Sequence, residues 1–228
     1  MKRSFLLVIA VLIIILLLII LWPYFRSDKE QNPAPKQRVE SITEIEEASF
    51  ALPIEEFGPR ITKKPFGIFT TPENSPVSPE HFTGYHTGVD VEYGDVASDV
   101  PVYAVLDGRI TVSRQAQGYG GIFVMESRIE DSSHSILYGH IRPGTLPEVG
   151  QNFSKGEKIA LLGNGNTEET DGERKHLHFA VLSDNRIDLR GYVQRENELA
   201  GWIDPLVFIQ KKIYLNGGKN LWVNYLRA

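Results

Sequence analysis

The hydrophobic pattern divides the chain into an unbroken apolar opening, a polar stretch, and a long region of short apolar runs. Phe5 to Trp22 carries no charge and no proline, and its length is close to the roughly 20 residues a helix needs to cross a hydrocarbon core. It is longer than a usual signal-peptide core, and no small-x-small cleavage site follows it, so an uncleaved anchor is expected. Trp22 and Tyr24 would sit at the membrane interface, with Pro23 ending the helix. Lys2 and Arg3 favour a cytoplasmic amino terminus. Arg26, Lys29, Lys36 and Arg38 flank the other side, but long downstream domains translocate largely regardless of such charges. Residues 1–26 are therefore expected to form a cytoplasmic tip and a single-pass signal anchor, with residues 5–22 in the cytoplasmic membrane. The rest of the chain would lie on its outer side, periplasmic or extracellular.

Residues 27–56 read as an acidic linker with little periodicity. Within it, Asn32-Pro33-Ala34-Pro35-Lys36 favours an extended spacer. Ser41-Ile-Thr-Glu44 matches a capping box and predicts a short helix after it. Glu44, Glu46 and Glu47 read as a solvated acidic face.

From 57 to 209 the texture changes to short apolar runs split by Gly, Pro, Asn and Asp. Strands are expected over 102–105, 109–112, 122–125, 135–138, 158–161 and 177–181. Asp107-Gly108 is a hairpin signal between the first two. Helical periodicity is weak, so the region is expected to be one mainly β, antiparallel domain. Residues 210–228 form a C-terminal tail carrying Trp222 and Tyr225.

Length and composition agree with this division. With 228 residues, 42% hydrophobic and 23% charged, the chain can build one globular core plus end segments. A formal charge of -5 argues against a nucleic-acid partner, which would call for a basic face. The absence of cysteine excludes disulfides, thiol nucleophiles and thiolate metal sites. Any zinc would have to be held by His, Asp or Glu.

Four of the six histidines fall into short patterns. His86-Thr-Gly-Val-Asp90 places a histidine four residues before a carboxylate, a weak signal alone. His176-Leu177-His178 lies in a strand-like run, where residues two apart face the same way and both imidazoles can converge. Tyr138-Gly139-His140 ends a predicted strand and by itself suggests no more than a surface or capping histidine. Together they suit a catalytic zinc site, which needs three N/O ligands and an open fourth position. His86, Asp90 and one histidine of the strand pair supply the ligands; His140 and the other histidine remain for proton transfer and charge stabilisation.

With these residues the chain resembles the lysostaphin-type (LytM-like) zinc endopeptidases. The likeness runs from about Phe66 to Ile209, with the three histidine patterns in the family's order. It also takes in Pro101–Gly108, Gly118-Tyr-Gly-Gly121 and Gly156–Gly163, which are similar to that family's strand and turn segments. The resemblance implies an antiparallel β metallopeptidase domain with one Zn2+ per chain, held by His86, Asp90 and His178. It implies His140 and His176 as catalytic histidines, and hydrolysis of peptide crosslinks in bacterial peptidoglycan, which becomes the expected partner. The zinc would activate water and polarise the scissile carbonyl, while one histidine shuttles a proton and the other steadies the oxyanion. The sequence does not distribute those two roles.

The chain departs from the family pattern in one place. Asn166–Lys175 is longer and more charged than the usual small-residue turn before the His-x-His strand, which bears on substrate preference. His81 and His134 lie outside the motifs and are expected to be ordinary surface or core histidines. Two rival readings keep part of this picture. A non-cleaving LytM-like regulator of cell-wall hydrolases would normally lack part of the metal set, whereas this chain lacks none of it. A lipoyl-type carrier or transport adaptor would need a modified lysine at a tight turn or long heptad helices, and neither is seen.

Overall fold

The computed structural model describes residues 50–129 and 131–209. The expected anchor, the capping-box helix after Ser41 and the tail with Trp222 and Tyr225 lie outside the described residues. Among the described residues, no helix is long and apolar enough to cross a membrane.

The strands in chain order are β1 (Phe69–Thr70), β2 (Gly84–His86), β3 (Val89–Glu92), β4 (Pro101–Tyr103), β5 (Gly108–Ala116) and β6 (Gly120–Ile129). They continue with β7 (Ser132–Ile141), β8 (Asn152–Phe153), β9 (Lys158–Leu161), β10 (His176–Leu182), β11 (Tyr192–Val193) and β12 (Trp202–Ile203). All their pairings are antiparallel. The main sheet runs β12-β10-β7-β6-β5-β8, with β3 also paired to β10. A three-stranded sheet, β1-β2-β11, and the pair β4-β9 complete the set. The expected mainly β, antiparallel architecture is therefore what the described residues show.

Both faces of the main sheet are covered, which explains why β10 is buried at every position. Leu177, Phe179 and Val181 join the larger core with Tyr138, Phe123 and Phe57. Tyr138 stacks on Phe123 at 4.5 Å and meets Phe179 edge-on at 5.1 Å, and its hydroxyl accepts the Val105 N–H at 3.1 Å. The alternate residues Ala180 and Leu182 join a smaller cluster with Val193 and Trp202 on the opposite face. His176 and His178 share that second face, because side chains two apart along a strand point the same way. The same core takes in Phe50, Ile54 and Phe57, all buried, and the main chain ties Ala51 to Val105 and Tyr103 to Pro53.

One expected local feature is absent. Asp107-Gly108 does not close a hairpin, since β4 pairs with β9 while β5 pairs with β6 and β8. Asp107 instead accepts the Lys155 N–H through Oδ1 at 2.6 Å. A turn dipeptide reports that the chain bends, and the more distant strand partners decide what pairs across it.

Candidate metal centre

Register assembles the centre. Strand β10 lies between β3 and β7, so His178 faces Asp90 across one edge and Gly139 across the other. His86 ends β2, and the short step Thr87–Gly88 carries the chain into β3 and brings Asp90 back beside it. A Cβ at Gly88 would fall 2.5 Å from the Phe179 carbonyl oxygen, so only glycine allows β3 to start this close to β10.

His140 arrives by a different device. Simple alternation along β7 would put it on the same face as Ile136 and Tyr138, in the larger core. In the structure, Gly121 pairs with Ile141 and Ile122 with Gly139, which leaves His140 as the extra residue of a bulge. Its φ of 60° is in the left-handed region. The bulge re-aims the ring toward the other face, where it lies 4.2 Å from the His176 ring centroid and 5.5 Å from that of Tyr119. Backbone conformations of this kind cost on the order of 1–3 kcal/mol and concentrate at functional sites.

The expected ligand atoms converge. His86 Nε2, Asp90 Oδ1 and His178 Nδ1 form a triangle with sides of 3.0, 3.1 and 3.2 Å. All three residues are buried. His86 Nδ1 lies 3.2 Å from the Pro65 carbonyl, which it can only approach as a donor, so Nε2 carries the free lone pair. Tetrahedral zinc with bonds near 2.0–2.1 Å places its ligand atoms about 3.3–3.4 Å apart, within a few tenths of an ångström of this triangle. The donor set and its spacing therefore fit a zinc ion.

His176 completes the inner surface. Its Nδ1 donates to the Arg174 carbonyl at 2.9 Å, which leaves Nε2 unprotonated and 3.4 Å from Asp90 Oδ2. Burial pushes the His140 imidazole down to about 3, more than the opposing attraction of Asp90. Burial likewise holds His176 well below, and His178 below, the usual imidazole range. All three are neutral near pH 7. For Asp90, burial raises the carboxyl, but the surrounding imidazoles, His176 first, more than offset this and hold it well below the usual range. Arg174, a permanent cation with Nη2 at 2.6 Å from Asp90 Oδ2, favours the same ionised state.

The centre lies on a cleft of about 370 Å³. Tyr119 and Tyr192 form part of its wall, and burial raises both phenols, which stay protonated. Tyr192 is opposite His86 in the β2–β11 register. Its hydroxyl accepts a hydrogen bond from Lys64 Nζ at 2.9 Å. Lys64 is buried and paired with Glu80, which also accepts from the Ser75 hydroxyl and from the His81 and Phe82 N–H groups.

All five expected site residues, His86, Asp90, His140, His176 and His178, are thus brought to one place. His134 is structural, its Nδ1 bonded to the Leu182 carbonyl at 2.9 Å. His81, expected to be an ordinary surface or core histidine, is exposed and lies at the cleft mouth with Nδ1 3.0 Å from Glu173 Oε1. Lys64, Tyr192 and Arg174 escaped the sequence reading. Arg174 had a visible signal, a basic residue two positions before His176; Lys64, the second of two adjacent lysines, had none.

The profile of Peptidase family M23 matches residues 84–189, a span that contains all five residues. Among solved structures, similarity extends to a zinc containing peptidase from Vibrio cholerae, with 26% identity and a TM-score of 0.40 over 62% of this chain. The match spans 41% of the Vibrio chain, less than half its length. LytU is similar at 19% identity and a TM-score of 0.42, covering 72% of this chain and 86% of that one. A chain of the SpoIIQ-SpoIIIAH pore forming complex is similar at 19% identity and a TM-score of 0.46, covering 74% and 95%. No curated protein matches.

Proposed function

Residues 84–189 form a domain of peptidase family M23, and from that premise we propose that the protein is a zinc-dependent endopeptidase that hydrolyses peptide crosslinks of bacterial peptidoglycan. The observation that carries the reading is the buried triangle of His86 Nε2, Asp90 Oδ1 and His178 Nδ1 at the foot of an open cleft. These three residues would hold one zinc ion. When bound, such an ion supplies Lewis acidity that polarises a peptide carbonyl and makes water a stronger nucleophile.

The remaining steps belong to side chains. His176, its tautomer set by the Arg174 carbonyl, presents a bare Nε2 able to take a proton and return it to the departing amine. His140, kept neutral by burial, can donate a hydrogen bond to the developing oxyanion. The aromatic wall of Tyr119 and Tyr192 would exclude water from one side of the bound peptide.

Placement follows from the amino-terminal sequence. The apolar run Phe5–Trp22 would anchor the chain in the cytoplasmic membrane and deliver the domain to its outer side, where peptidoglycan lies. Tethering would raise the effective concentration of the domain at nearby wall.

The test is zinc content and digestion of purified peptidoglycan by the full chain, beside His178→Ala and His140→Ala. About one zinc per chain and release of peptides with new amino ends is the expected result, with only His178→Ala losing metal and both variants losing digestion. Zinc without any digestion would replace this reading with that of a non-cleaving regulator. A protein that binds no zinc would end it.

A further inference from the structure

Asn166–Lys175 departs from the family's usual turn, and several of its charged side chains bond back to the protein. Asp171 Oδ2 accepts the Gly118 N–H at 2.6 Å, and Lys175 Nζ donates to the Val96 and Ser98 carbonyls at 2.9 and 2.8 Å. Arg174 goes furthest, reaching the metal centre itself. Asp90 and Glu92 lie two apart on β3 and so share a face, opposite His178 and His176 in register. Arg174, just before β10 begins, is placed to reach both carboxylates. Its Nη2 donates to Asp90 Oδ2 at 2.6 Å and to Glu92 Oε1 at 2.8 Å, and its Nε lies 3.0 Å from both Glu92 oxygens.

The two oxygens of Asp90 therefore have separate partners. Oδ1 belongs to the triangle with His86 and His178; Oδ2 faces Arg174 and, more distantly, His176. We propose that Arg174 is a positioning residue that dedicates Asp90 to the metal through one oxygen only. The proposal rests on the zinc reading above and adds a role for a side chain outside the ligand set.

The physical reason lies in the geometry of zinc. A catalytic site uses three protein ligands and keeps its fourth position open. A carboxylate with both oxygens free can turn its second oxygen to the ion and crowd that position. Holding Oδ2 in a short charge-assisted bond prevents this, and partners that orient a metal ligand commonly affect affinity strongly. Glu92 matters because it holds the guanidinium in place: two carboxylates on one strand grip one planar fork. A lysine would keep the charge and lose the fork. The backbone of Arg174 has its own task, since its carbonyl orients His176. Side-chain substitution leaves that task intact.

The experiment measures zinc affinity of the full chain by chelator competition, with zinc X-ray absorption for the number of oxygen ligands. Arg174→Met is expected to weaken zinc binding about 10- to 100-fold and to add an oxygen to the zinc shell. Arg174→Lys should recover little of the loss. Glu92→Gln, which touches no ligand atom, should weaken binding in the same direction, and the double variant should be no worse than Arg174→Met alone, as expected for residues acting as a unit. Equal or tighter zinc binding by Arg174→Met would overturn the proposal, as would full recovery with lysine, which would make charge alone the cause. If Arg174→Met does not fold, Glu92→Gln decides: weaker binding supports the proposal and unchanged binding overturns it. Absence of zinc from the unaltered chain would instead defeat the zinc reading and the proposal together.

Discussion

Strand β10 and the stretch 164–175 that leads into it carry the densest polar chemistry of the domain, and they hold it by different means. On β10 the two histidines are placed by the ladder: each is fixed by backbone pairing to β3, with β7 along the far edge, while Leu177 and Phe179 anchor the other face. The stretch before it has no ladder over most of its length and combines local main-chain turn bonds with side-chain contacts. Thr167 caps the short turn Glu168–Thr170, Glu169 Oε2 accepts the Asn164 N–H, Asp171 holds Gly118, and Glu173 meets His81 across the cleft mouth. The strand gains its precision from hydrophobic burial and main-chain bonds. The rim gains its shape from many charged contacts, each worth little when solvent-exposed. A strongly charged loop is thus no evidence of a charged substrate, because here most of the charge is spent on the protein itself.

The largest expected effect tests the strand side of this contrast. His178→Ala removes one corner of the ligand triangle, and bound zinc should fall from about one per chain to background by metal analysis, with hydrolysis lost alongside it. His140→Ala should separate chemistry from metal: zinc retained, and the hydrolysis rate reduced on the order of 10²–10⁴-fold, as for loss of a group acting in proton transfer or charge stabilisation. If zinc is lost as well, the bulge at His140 supports the ligand set and not the reaction.

Phe179→Ala attacks the opposite face of the same strand. A fully buried aromatic cut to alanine costs about 3–5 kcal/mol, measurable by urea unfolding. A cost near 1 kcal/mol would mean that register and not core packing holds the histidines.

A change of pH reaches three of the site's imidazoles together. His140, His176 and His178 have folded values below the unfolded one near 6.5, so between those values the unfolded chain binds more protons. Stability of the zinc-free protein should therefore be full above about pH 6.5 and fall as pH drops, by on the order of 1 kcal/mol per pH unit for each displaced group. Asp90, also lowered, adds to the loss in the same direction only at more acidic pH. Thermal melts of chelated protein at pH 7.5 and pH 5 check the sign; equal melting temperatures would show that these histidines are not neutral and buried in solution.

The smallest effect belongs to the rim. Asp171→Ala removes one exposed hydrogen bond to Gly118 and should cost about 0.5–1.5 kcal/mol, with zinc content unchanged. A larger cost, or a loss of metal, would show that the rim shapes the site as strictly as the sheet does.

Much of this was legible in the chain itself. Each of the six expected strand runs falls in or overlaps an observed strand, β4, β5, β6, β7, β9 and β10, because an apolar run bounded by turn residues is a local property. The five candidate residues were found from spacing and residue type, since His-x-His on a strand needs only the two-residue period to place both rings on one face. Asp107-Gly108 shows the limit: the hairpin it signals does not form, because strand pairing depends on partners the dipeptide does not encode.

By itself, then, the sequence determined which residues are candidates for the chemistry and which segments are strands, because side-chain type and alternation are properties of neighbours. Only the tertiary structure decided how those residues meet. Asp90 and His178 are 88 residues apart and touch because of one strand register. His140 faces the site because a single bulge reverses the alternation that would have sent it into the core. Arg174 turns from one charge among many into the partner of a ligand because β3 presents two carboxylates at its reach. Register, bulges and the destination of a long side chain depend on distant strands, and a local pattern holds no record of them.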